Sequence, residues 1–151
     1  MTEFDPGKYL VSAHEEKDRS AADTVTEYIQ AFQKWAQDCR YWLKQNGDNL
    51  EGLKQAGGRD ALVQIQSRYC TSKNRQYWRS VGYFFVNGTA NAYAKIATEE
   101  VIGKNLCRVI TEQKKPNSPS FRFTLEQRGK VWRIATLERQ DGINQWRPDS
   151  L

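Results

Sequence analysis

Histidine and methionine are nearly missing from this chain of 151 residues: each occurs once, as His14 and Met1. A Ser-His-Asp or Cys-His mechanism would have to use His14. That residue lies in a charged N-terminal stretch with few apolar anchors, so catalysis by histidine is not expected. The three cysteines, Cys39, Cys70 and Cys107, form no CxxC pair, and each sits in an apolar stretch. They read as reduced core thiols rather than as a zinc or redox site. No apolar run approaches the roughly 20 residues of a membrane span. Gly57-Gly58 has neither the lysine nor the preceding strand of a phosphate-binding loop. The start, Met1-Thr2-Glu3-Phe4-Asp5-Pro6, has no basic region followed by an apolar one, so a cytoplasmic protein is expected. No metal or cofactor is called for.

What is present is aromatic and charged. Five Trp, seven Tyr and six Phe supply too many core formers for a disordered chain, although mean hydropathy is −0.81. A chain of this length buries enough surface to fold without disulfides, as one domain over 1–151. Residues 1–22 are expected to be poorly ordered or loosely attached. The net charge of +5 is uneven: residues 1–75 balance eleven Lys/Arg against eleven Asp/Glu, whereas residues 76–151 carry twelve against seven. A basic second half steers the molecule toward an acidic partner, either a protein face or a phosphate backbone.

Periodicity divides the chain in two. Val25, Tyr28, Ile29, Phe32, Trp35, Ala36, Cys39, Trp42 and Leu43 recur at three- and four-residue steps, which predicts a helix over 24–45. Thr24 and Glu27 fit a capping box, and Asn46-Gly47 a left-handed stop. A short helical turn is expected around Leu50 and Leu53. Asp60 then caps a third helix that buries Leu62, Ile65 and Tyr69. From residue 82 the pattern turns to strands: 82–86, 92–101 and 105–112, with a turn at Ile102-Gly103-Lys104. The polar loop 114–119 follows, and then a hairpin of 121–126 and 131–139 around Arg128-Gly129. Within 131–139 both Val131/Ala135/Leu137 and Trp132/Ile134 are apolar, so the inward face is open. Helices first and antiparallel strands after make the fold class α+β, with helices packed on one face of a curved sheet.

Few motifs carry chemistry. Glu99 and Glu100 are adjacent on a strand and point to opposite faces, so they cannot share a proton. Glu27, Asp38 and Asp60 read as solvated charges on helix surfaces. Val81 to Val86 is similar to the aromatic strand of an RNA-recognition motif, but Val81 and Phe84 stand where a cation and a small residue belong. By contrast, Asn74-Arg75-Gln76-Tyr77-Trp78-Arg79 gathers two arginines and two large amphipathic rings, the residue types that dominate interface hot spots. Gln145-Trp146-Arg147 repeats that composition near the C-terminus. Core-plugging roles for Tyr77, Trp78 and Trp146 are the simpler alternative.

The run Phe121-x-Phe123-x-Leu125, Gly129-x-x-Trp132-x-Ile134-x-x-Leu137, Asp141-Gly142, preceded by Arg108-Val109-Ile110-Thr111 and a long aromatic helix, resembles the nuclear transport factor 2-like fold. More narrowly, it is similar to the immunity proteins of bacterial polymorphic toxin systems built on that fold. The resemblance spans residues 24–151. It implies a cone of curved sheet wrapped on helices, and a non-catalytic role in binding a cognate toxin. The expected partner carries an acidic contact surface, and the expected contacts are Arg75, Tyr77, Trp78 and Arg79, with Arg139, Trp146 and Arg147 as a second cluster. Two other readings stay open: a ligand-binding or isomerase/dehydratase-type cone, which needs a deep pocket and a carboxyl group of raised pKa, and a nucleic-acid-binding module.

Overall fold

The computed structural model describes residues 4–12, 14–72, 95–113, 119–140 and 145–149. The expected strand at 82–86 lies outside them. Three helices, α1 (Ala21–Gln45), α2 (Leu50–Gln55) and α3 (Gly58–Tyr69), precede five strands: β1 (Ile96–Gly103), β2 (Leu106–Thr111), β3 (Phe121–Arg128), β4 (Val131–Gln140) and β5 (Trp146–Asp149). The strands form an antiparallel meander in chain order. This is the α+β architecture the sequence predicts.

Helix α1 starts earlier than its apolar period suggests. Its cap is Ser20, whose hydroxyl accepts from the Asp23 N–H at 3.0 Å while the Asp23 carboxylate accepts from the Ser20 N–H at 3.1 Å. Thr24 and Glu27 therefore lie inside the helix, and both are buried. Nor does Asp60 cap α3: Gly57, at φ +107°, provides the entry to that helix, and Asp60 stays in its exposed first turn. There a carboxylate favours the positive end of the helix dipole. Gly58 allows a close approach, since a Cβ there would meet the Leu53 carbonyl at 3.0 Å. The indole N–H of Trp35 donates to the Gly58 carbonyl at 2.8 Å, which ties α1 to the start of α3.

The inner faces of β2, β3 and β4 bury Cys107, Val109, Phe123, Leu125, Ile134 and Leu137 against Tyr28, Phe32 and Trp35 of α1. Tyr28 meets Phe123 edge-on, with centroids 6.4 Å apart, and meets Tyr69 of α3 in the same way at 6.3 Å. The three cysteines are buried, as expected, and none is in a disulfide among the described residues.

Strand β4 resolves its two apolar faces with a bulge. Leu125 pairs with Ile134, but Thr124 pairs with Thr136, so Ala135 is the extra residue and the alternation changes phase there. Before the bulge the even-numbered Ile134 points inward; beyond it, Leu137 does. The first hairpin turns at Lys104-Asn105, with Asn105 at φ +59°, rather than at 102–104. The second turns at Gly129-Lys130, where the positive φ of Gly129 is what the first position of a type II′ turn requires.

The N-terminal stretch, expected to be loosely attached, makes specific contacts. Phe4 and Tyr9 join the core. Tyr9 donates to Asp38 at 2.6 Å, and Arg68 of α3 reaches the Leu10 carbonyl at 2.8 Å. Farther along, Glu16 pairs with Arg133 of β4 at 2.6 Å.

Candidate functional site

Of the residues nominated from sequence, Arg75, Tyr77, Trp78 and Arg79 lie outside the described residues. Arg139, Trp146 and Arg147 lie within them, at the β4–β5 edge. There the register decides what they can do together. Arg139 stands opposite both Phe121 and Arg147, whereas Trp146 stands opposite Gln140. Cross-strand partners share a face, so the two arginines lie on the helix-facing side and Trp146 lies on the outer side. One expected cluster becomes two faces of a single edge.

On the outer face Trp146 has a partner that sequence reasoning missed. The Arg122 guanidinium lies 4.5 Å from the Trp146 ring centroid, a cation–π stack. The same guanidinium grips Glu138 bidentately, with Nε and Nη2 each 2.9 Å from a carboxylate oxygen. Those hydrogen bonds hold the Glu138 carboxyl below its ordinary range against the opposing effect of burial, and the charges of Arg122 and Arg108 add to the lowering. Arg108 in turn pairs with Glu100 at 3.5 Å. The alternation of β3 and β4 contained the signal for Arg122 and Glu138, but the bulge at Ala135 hid it. Without that extra residue, the register set by the turn would place Leu137 opposite Arg122.

Beside this face, where α3 ends, Thr71, Ser72, Glu126, Arg128, Val131 and Arg133 line a cleft of about 230 Å³. Arg133 is held there by the carbonyls of Ser67 and Arg68, at 2.8 and 2.7 Å. A cation is favourable at these last carbonyls of α3.

The interior holds a second surprise. Glu27, expected on a solvated surface, is buried with Arg19, whose Nη1 lies 3.4 Å away. Tyr69 donates to the same carboxylate oxygen at 3.4 Å, and His14 Nδ1 lies 3.2 Å from the other. Burial alone would raise the Glu27 pKa. Hydrogen bonding from Ser12 and His14, together with the charge and hydrogen bond of Arg19, outweighs that and leaves it lowered. Asp38 is likewise engaged, by Lys8 Nζ at 2.9 Å and the Tyr9 hydroxyl. A carboxylate held ionised by an arginine, with Tyr69 and His14 as its other partners, is a structural ion pair. It does not match the raised, pocket-facing acid of a cone enzyme. Among the described residues no cluster of His, Cys, Asp and Glu could hold a metal ion.

Compared with known families, residues 20–150 match the profile of the NTF2 fold immunity proteins. The chain belongs to that family. It is also similar to the immunity protein RhsIA of Dickeya dadantii (strain 3937), at 24% identity over 119 residues, which cover 79% of this chain and 86% of that protein. No solved structure gives a significant match.

On the β3–β5 surface Trp146, Arg122 and Glu138 form one continuous set of contacts. Trp146 is held flat by Arg122, and Arg122 is held by Glu138, so both groups are ordered before any partner arrives. Less conformational entropy is then lost on binding. No helix among the described residues is long and apolar enough to cross a membrane.

Proposed function

We propose that this protein binds a cognate bacterial toxin in the cytoplasm and neutralises it by covering the toxin's active site or substrate path, without catalysing a reaction of its own. The observation that carries this reading is the family match over residues 20–150, which includes the whole sheet and α1. Support comes from the core. The aromatic side chains Tyr28, Phe32, Trp35, Tyr69 and Phe123 are buried in the core between α1, α3 and the sheet, which favours recognition on the exterior. The toxin surface contacted is acidic in part. Arg75, Tyr77, Trp78 and Arg79 form one contact group, and Arg139, Trp146 and Arg147 contribute from the two faces of the β4–β5 edge. Arginines pair with carboxylates through two parallel hydrogen bonds, and the rings supply buried area.

Co-expression with the toxin domain encoded in the adjoining gene tests the reading. Growth should be rescued and a stable complex recovered. Replacing both Trp78 and Arg79 with Ala should weaken that complex by about 30-fold or more, as for interface hot spots, with little change in melting temperature. A proportionate loss of stability and binding would return both residues to the core, and failure of the unmodified protein to bind would end the proposal.

A further inference from the structure

Helix α1 carries three carboxylates and three cations, so its formal charge is zero. The fold separates them. Asp23 closes the capping box, Glu27 is buried against Arg19, His14 and Tyr69, and Asp38 takes Lys8 and Tyr9. The cations Lys34, Arg40 and Lys44 all point outward with Gln30 and Gln37. None of the three forms an ion pair among the described residues. Lys34 has Asp38 at the favourable four-residue spacing, but that carboxylate faces the N-terminal segment instead. Arg40 and Lys44 are themselves four apart, a like-charge spacing that weakens an isolated helix. Among these cations Tyr41 is 60% exposed, a large aromatic with no role in the core.

Lys44, in the last turn, has an intramolecular reason to be there, because it faces the negative end of the helix dipole. Lys34 and Arg40, farther in, have none. The outer sheet face offers a contrast: Arg108 and Arg122 there are matched by Glu100 and Glu138. A cationic stripe without an ion-pair partner among the described residues, with an exposed tyrosine among the charges, has the composition of an interface centre that awaits acidic groups from outside.

We propose that the outward face of α1, formed by Lys34, Gln37, Arg40, Tyr41 and Lys44, is a docking surface for a carboxylate-rich patch on the toxin protein, with Tyr41 as its anchor. This rests on the neutralisation reading above and places part of the contact on the first half of the chain, where charge balance alone predicts none.

The test measures association and dissociation rates with the immobilised toxin domain from the adjoining gene. The Lys34→Glu/Arg40→Glu protein should associate about 100-fold more slowly at low salt, within the range of electrostatic steering. The difference should shrink at about 0.5 M salt, where charges are screened over a few ångströms. A charge-matched control at the hairpin tips, Lys104→Glu/Lys130→Glu, should associate within about threefold of the unmodified protein, as expected for charges outside the contact. Tyr41→Ala should speed dissociation about tenfold or more. The docking face is overturned if the α1 variant binds as the unmodified protein does, or if both charge reversals slow binding equally, which would assign the effect to net charge. It is also overturned if a DNA duplex at physiological salt is retained by the unmodified protein and lost by the α1 variant, because the acidic partner would then be nucleic acid. If the unmodified protein does not bind the toxin domain at all, the neutralisation reading fails, and this face with it.

Discussion

The carboxylates and the cations of α1 are equal in number and meet opposite physical fates. Every carboxylate is engaged by a neighbour: Ser20 for Asp23, Arg19 for Glu27, and Lys8 with Tyr9 for Asp38. Lys34, Arg40 and Lys44 face outward beside Tyr41. The carboxylates anchor the N-terminal segment to the body; the cations leave a positive field that no ion pair among the described residues cancels. A helix of zero formal charge can therefore present a strongly one-signed surface. Which sign it presents depends on what the rest of the chain neutralises.

The sharpest way to break the carboxylate contacts is Glu27→Leu. It leaves the buried Arg19 guanidinium with Glu16, 3.8 Å away, as its remaining ion-pair partner among the described residues, and unfolding in urea should show a loss of about 3–4 kcal/mol. Adding Arg19→Met should restore much of this, because an apolar pair of similar volume no longer strands a charge. If the double variant were no better than the single one, Glu16 would be sufficient to satisfy Arg19 once Glu27 is gone. Acid should produce a smaller loss through the same carboxylate. The Glu27 carboxyl is lowered in the folded state, so the unfolded chain binds its proton more readily. The stabilisation is complete once pH exceeds the ordinary carboxylate value of about 4.5 by roughly a unit, and is lost as pH falls toward the lowered folded value. Glu27→Gln should flatten this part of a stability-against-pH curve measured by chemical denaturation.

Arg122→Ala, at the half-buried pair with Glu138, probes a charge that is matched but lies near the surface. About 1 kcal/mol should be lost, between the exposed and buried limits for an ion pair. The smallest effect belongs to the outward cations of α1. Lys34→Glu/Arg40→Glu should stay within about 0.5 kcal/mol of the unmodified protein in the same urea experiment. That near-silence in stability is what makes its effect on toxin binding interpretable.

Much of the fold was legible in the order of hydrophobic periods. A three- and four-residue spacing from Val25 to Leu43 can only hide one face of a helix, and the alternation of Phe121, Phe123 and Leu125 can only hide one face of a strand. Boundaries were less legible. Ser20 with Asp23 and Thr24 with Glu27 both fit a capping box locally, and only burial of Thr24 and Glu27 against the core decided between them. The candidate site was legible as composition but not as geometry. Trp146 and Arg147 are neighbours in sequence, and the pleat sends them to opposite faces of the sheet. Arg122 and Glu138 are sixteen residues apart, and they meet because one extra residue, Ala135, shifts the register of β4.

By itself, the sequence determined which residues seek water and which avoid it, and so the succession of helices and strands, the aromatic core and the likeness to an immunity family. These follow from the local spacing of side chains along a backbone with two repeating geometries. The tertiary structure decided which charges meet. Opposite charges distant in the chain cancel only when packing brings them within a few ångströms, and at larger separations water and salt screen them. The pairing of Arg19 with Glu27, the stacking of Arg122 on Trp146 and the one-signed outer face of α1 are therefore products of the fold, although every residue in them can be read in the chain.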